Sequence, residues 1–283
     1  MSTGGIALLL SLQPHTFPGL TTLGTTIYII NIALFLLITT LISYRFAAYP
    51  GTFTGSLTHP RESIFYAAFW LSLSSIISCI GRYAIPHIST NTWLVEAYRV
   101  LFWVYFALTF ISAIFQYYLL FTLPSLKIQG ATPAWDLPIF PFMLCGTIAR
   151  VGVPFQANLA AKMTMLVAGL TAQGLGMLVS ILMFTIYLQR MIQVRLPSPE
   201  SRPAMFIAVG PPSFTSLAVI GLARAWPVEG MWFGDPLVTR QVVLILATCT
   251  GVFIWGLGFW FFCLGLVANL AVWRSIRFRL NWW

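Results

Sequence analysis

Acidic side chains are almost missing from this sequence: six Asp and Glu stand against 15 Lys and Arg in 283 residues. Charged residues of both signs make up only 7% of the chain. Soluble domains carry about 25%, so an ordinary soluble domain is excluded. Cysteine is equally thin. Cys79, Cys145, Cys249 and Cys263 all lie in apolar segments, with no CxxC and no Cys/His spacing. Disulfides and a metal site therefore have no support, and the four read as small apolar filler. Three histidines (His15, His59, His87) form no H-E-x-x-H and no Ser/His/Asp grouping, and neither a P-loop nor GxGxxG occurs. That leaves no catalytic constellation, no cofactor site and no ATP-driven pump on this chain.

Apolar residues are what the chain has: 59% of the total. A helix needs roughly 20 mostly apolar residues to cross a bilayer. Apolar runs fall at about 20–45, 63–86, 93–123, 137–158, 163–189, 204–225 and 237–273. These predict seven full spans, preceded by a shorter element at 1–12. The opening "MSTGGIALLL" lacks a basic n-region and a cleavage site, so it does not read as a signal peptide. It resembles the second half of a helix. The fold expected is all-α and polytopic, a single transmembrane domain over 1–283. The net charge of +9 sits at the ends of apolar runs. That pattern fits loops at an anionic membrane surface rather than a nucleic-acid partner.

Proline divides the runs into two kinds. The second, fourth, sixth and eighth elements have none, whereas the fifth holds Pro138, Pro141 and Pro154, and the seventh holds Pro211 and Pro212. The third has no proline but is rich in hydroxyls, in "SLSSIIS". Irregular backbone at membrane depth is tolerated only where protein or a water-filled cavity covers it. The alternation predicts helical hairpins with odd-numbered helices inside and even-numbered ones outside. Close helix packing through small residues is the simpler reading. Orientation follows from Lys and Arg. One side carries Arg45, Arg61, Lys127, Arg190, Arg195, Arg202, Arg274, Arg277 and Arg279. The other carries Arg82, Arg99, Arg150, Lys162, Arg224 and Arg240. The bias places the N-terminus in the cytoplasm.

The seventh run contains "FIAVGPPSFT". Pro211 and Pro212 cannot donate to the carbonyls of Ile207 and Ala208. With Gly210 as a flexible cap, the expected feature is a break that frees carbonyls on one side and the amides of Ser213 and Phe214 on the other. A helix N-terminus near the midplane is a ready anion site, and transporters bind substrate at such breaks. A kink that only shapes packing is the alternative. "THPRES" places His59 before Pro60 and Glu62 in a first turn, which suits a helix start. Gating or proton coupling by His59 and Glu62 is the sharper option. Glu96 and Arg99 stand three apart and predict an ion pair. Arg150, in "GTIAR", lies well inside the fifth run. It would face the interior with an anion as partner, or snorkel to the interface.

"STGGIALLLS", "SLTHPRESIF", "FQYYLLF", "TPAWDLPIFPFMLCGTIA", "QGLGMLVS" and "RPAMFIAVGPPSFTSLA" resemble the fungal malic acid (C4-dicarboxylate) transporters. Those belong to the tellurite-resistance/dicarboxylate transporter family, with plant slow anion channels and fungal sulfite exporters. The resemblance runs from Met1 to Trp283. It implies ten helices as five hairpins around a central pore, occluded by a phenylalanine of the ninth. About eight of the ten are expected here, the first partial, since the chain stops at "RLNWW" where the ninth should start. The pore-lining candidates are Thr3, Gly4, Ser63, Phe65, Phe69, Phe140, Thr147, Arg150, Gly210, Pro211, Pro212, Ser213 and Phe214. The implied activity is carriage of malate and related dicarboxylates across the plasma membrane, coupled to protons. The implied partners are organic acid anions, the lipid bilayer and two further copies in a homotrimer. A channel-like anion transporter or sulfite exporter is the alternative. Seven spans also invite a seven-helix receptor, against which stand the charge bias and the lack of D-R-Y and N-P-x-x-Y.

Overall fold

The structure, a computed structural model, describes residues 1–59, 62–87, 92–122, 127–229 and 234–275. Among these there are helices and turns but no strand. Pro60, Arg61, Arg277 and Arg279 of the sequence reading lie outside the described residues.

The chain opens with α1 (Ser2–Leu10) and α2 (Leu20–Ala48), joined through Gly19 at φ 95°. The short α3 (Thr52–Thr58) and α4 (Glu62–Phe65) lead into α5 (Ala67–Cys79). A π turn, Ile80–Ala84, extends that third span. α6 (Thr92–Thr122) returns across the bundle. The fifth span is broken into α7 (Phe140–Met143), α8 (Cys145–Gly152) and a 3-10 turn, Val153–Phe155. α9 (Leu159–Val194) is capped by Asn158, whose Oδ1 accepts from Ala161 N at 2.7 Å. An eleven-residue 3-10 stretch, Pro199–Val209, runs into α10 (Gly210–Arg224). α11 (Pro236–Leu270) starts on Asp235, which accepts from Leu237 N at 2.8 Å.

Among the described residues six helical stretches are long and apolar enough to span a bilayer, not seven. Phe140–Phe155 is shorter because Pro141 and Pro154 each open a new helical piece. It crosses by being buried in protein rather than by length. All eight residues of α8 are buried. The outer α2 and α11 have only 11% and 17% of their apolar windows buried, against 61% for the third span. The inner-outer alternation breaks at α9, which at 44% is as buried as the seventh span. Small residues explain that. Gly146 and Gly169 bring the α8 and α9 backbones together, a Cβ on Gly169 striking that of Ala149. The core between the inner helices holds Tyr98, Phe102, Tyr105, Phe142, Ile148, Met165 and Leu166.

The seventh span corrects the expected break. Val209 and Gly210 both keep right-handed helical torsions, so the backbone is not unwound. Gly210 N–H donates to the Ile207 carbonyl, which is therefore not free. The helix changes type instead: 3-10 bonding before the prolines, α after them. Pro211 and Pro212 then occupy the first turn of α10, where missing donors cost least.

Candidate functional site

One end of the bundle encloses a cavity of about 1040 Å³. Small-molecule sites fill about 300–1,000 Å³, so this one is roomy. Its wall joins the C-terminal end of α1, the N-terminal end of α2, the π turn, the last turn of α8, one face of α10 and Trp255 of α11. Three arginines stand in that wall: Arg82, Arg150 and Arg224. Each closes one inner span.

Arg150 sits in the last turn of α8 and is 8% exposed. Its Nε and Nη2 are buried without a hydrogen-bond partner. α10 lies directly on its stem, because a Cβ at Gly221 would come within 2.6 Å of the arginine Cδ. Underneath, the Tyr98 hydroxyl donates to the Ile148 carbonyl at 2.9 Å and fixes α8 against α6. Snorkelling, one of the two expectations for Arg150, is not what this side chain does: it is buried in the bundle.

Arg82 arrives by a different device. A π turn holds one residue more than an α turn and recurs at functional sites. Here it carries Ile80–Ala84 past Gly81, which packs on Val151 and Tyr98. Arg82 and Tyr83 thereby both reach the cavity. Tyr83 also donates its hydroxyl to the Ala7 carbonyl at 2.6 Å, tying α1 to the turn. The Arg82 Nε is likewise buried without a partner. Arg224 ends the cavity-facing row of α10, after Ser213, Ser216, Leu217, Ile220 and Gly221. That spacing is one face of an α-helix. Arg82 and Arg224 are both near enough to Arg150 for like-charge repulsion to act on it.

No acidic side chain lines the cavity, and the six in the sequence have other places. Glu96 is ion-paired with Arg99, as the three-residue spacing predicts, and Glu229 lies 3.7 Å from Lys162. Asp235 caps α11. Glu62 accepts from Ser56 Oγ at 3.0 Å, and Glu200 lies in the 3-10 stretch Pro199–Val209. Asp136, in the turn ahead of the fifth span, is 1% exposed and accepts from Ser180 Oγ at 2.9 Å. Burial pushes its carboxyl up to about 7, with the Ser180 hydrogen bond acting the other way. Three guanidinium groups thus share a cavity with no protein counter-charge. Charged groups at membrane depth are expensive unless paired, and an anion from outside the chain would pair them.

Of the residues singled out from sequence, the cavity brings together Arg150 and Ser213. Gly210 and Phe214 both pack on the Phe140 ring, the two phenyl groups 5.7 Å apart. Pro211, Pro212 and Thr147 are buried, the Thr147 hydroxyl without a partner. Gly4 packs on Ser75 and Asn31, next to Thr3. Ser63, Phe65 and Phe69 lie on the third span, with both phenylalanines exposed and Phe69 against Phe35. His59 and Glu62 stand at that span's other end. Sequence reasoning missed Arg82 and Arg224 as site residues and used them only to judge orientation. A signal was present: the third, fifth and seventh spans each carry an arginine near their C-terminal end.

The profile of the voltage-dependent anion channel family, SLAC1, matches residues 1–283. The chain is 36% identical over 285 residues to the malic acid transport protein of Schizosaccharomyces pombe, covering all of this chain and 64% of that protein. It is 24% identical over 286 residues to the sulfite efflux pump SSU1 of Trichophyton rubrum, covering 75% of it. A second such pump, from Arthroderma benhamiae, matches at the same 24%. The chain thus spans a little under two thirds of the length of its malic acid transport relative.

Proposed function

The chain belongs to the voltage-dependent anion channel family, and from that premise we propose that it carries malate and related C4 dicarboxylates across a membrane. The carrying observation is the cavity with three arginines and no acid. A dicarboxylate brings up to two negative charges into low dielectric, and guanidinium groups in the wall offset that cost where a neutral wall would not. The higher identity to a malic acid transport protein than to sulfite efflux pumps favours malate over sulfite.

Four further assignments go with this reading. The membrane is the plasma membrane, with the N-terminus cytoplasmic, so the cavity faces outward. Transport is coupled to protons, since protonation to the monoanion lowers the cost of crossing. His59 and Glu62 gate or couple at the cytoplasmic end. Thr3, Gly4, Ser63, Phe65, Phe69, Phe140, Thr147, Gly210, Pro211, Pro212 and Phe214 line the route beyond the cavity, with Ser213 in the cavity wall, in a homotrimer.

Uptake of radiolabelled malate into cells expressing the chain tests the proposal, with and without an uncoupler and with excess unlabelled succinate or sulfite. The expected result is uptake competed by succinate and reduced by the uncoupler. Uptake that ignores the uncoupler removes coupling and leaves channel-like conduction. Competition by sulfite alone moves the chain to the exporter reading.

A further inference from the structure

An arginine presents its planar edge, Nε–H with one Nη–H, to the two oxygens of a carboxylate. In Arg150 the unpartnered atoms are Nε and Nη2, the two that form this side-on edge. The side chain is more than nine-tenths buried, yet it belongs to the cavity wall. Gly221 holds α10 on its stem, so the head group alone can turn. Arg82 repeats the pattern with an unpartnered Nε, and Arg224 is exposed at the end of the α10 row. Among the described residues no carboxylate of the protein meets these donors.

We propose that Arg150 is a carboxylate fork that takes one end of a C4 dicarboxylate, while Arg82 and Arg224 take the other end. This rests on the reading of the chain as a dicarboxylate carrier. The edge lies beneath the cavity wall, so loading includes a turn of the guanidinium about its last torsions. The fork distinguishes ligands in two ways that a diffuse positive potential does not. A planar carboxylate fits the edge bidentately, and a second carboxylate is needed to engage the other arginines. The doubly ionised ligand is therefore the form that loads, and any proton joins it past the cavity. A monocarboxylate or a single ester of the diacid loses half the contacts.

The test uses purified full-length chain in detergent, with succinate, monomethyl succinate and acetate as probes at one ionic strength. The readout is the thermal unfolding midpoint against ligand concentration. Succinate is expected to raise the midpoint at concentrations about tenfold lower than monomethyl succinate, the factor that one charge-assisted contact carries. Arg150→Lys keeps the charge but loses the fork, and should weaken the succinate response about tenfold by the same reasoning. The ester comparison needs no variant, so it stands even if Arg150→Lys fails to fold. Equal responses to succinate and its ester overturn the proposal, as does an Arg150→Lys protein that responds like the parent chain. Malate uptake measured in parallel separates the two readings. An unmoved KM in Arg150→Lys removes the fork and leaves the carrier. A succinate response lost in Arg150→Lys, in a chain that takes up nothing, keeps the fork and removes the carrier.

Discussion

α8 and α11 cross the same bundle and obey opposite rules. α8 is eight residues long, lies between Pro141 and Pro154, and is buried on every side. α11 has 35 residues in one unbroken helix, with most of its apolar surface turned outward. In lipid a backbone must satisfy itself, so the outer helix is long and regular, with its one proline, Pro236, at the first position where a missing donor costs least. Inside, neighbouring helices cover the irregular backbone, and breaks, π turns and arginines become tolerable. The three arginines of the cavity wall all stand on the inner spans, while α2 and α11 add only Leu20, Thr21 and Trp255 to that wall.

The strongest challenge to that comparison is Gly169→Leu on the face that α9 turns toward α8. The new side chain has to occupy the place of Ala149, so folded protein recovered from detergent extracts should fall by tenfold or more, as overpacking costs about 1–3 kcal/mol or higher. Gly221→Val is narrower. It would push against the Arg150 stem, and malate uptake should drop at least tenfold while helix content by circular dichroism is retained. Tyr98→Phe removes the hydroxyl bond that ties α8 to α6 beneath Arg150 and should lower stability by about 0.5–1.5 kcal/mol, read as a fall in unfolding midpoint.

Asp136→Asn tests a buried acid of the inner row by pH. A carboxyl whose folded pKa is raised from 3.8 to about 7 stabilises fully below the lower value and loses that contribution as pH rises towards the higher one. The parent chain should therefore melt at lower temperature as pH goes from about 5 to about 7.5, and Asp136→Asn should flatten that slope. The smallest effect belongs outside. Phe253 is 83% exposed on α11, and Phe253→Leu should change the midpoint by less than about 0.5 kcal/mol equivalent. A large loss there would show that α11 does not face lipid.

Much of the fold was legible because membrane spans are set by composition and length. The prolines also marked the fifth and seventh spans as irregular. Two features were not legible. The first is which way an arginine points, since a run that is apolar on all faces carries no periodic contrast to set its rotation. Arg82 and Arg224 therefore looked like flanking charges, although both line the cavity. The second is the helix type. "GPP" announced an irregularity, but not that Gly210 would bond to Ile207 and keep the chain helical. Proline forbids one pattern of hydrogen bonds without saying which neighbouring pattern replaces it.

The π turn at Ile80–Ala84 has a consequence in the language of register. An extra residue in a turn acts as a phase shift of about 100°, the angle one residue occupies in an α-helix of 3.6 residues per turn. A tightening of that turn to regular α, with no residue lost, would remove the shift without changing any charge. The guanidinium would then rotate away from Arg150 and Arg224. One change of helix type would thus subtract a positive charge from the cavity while the sequence still contained it.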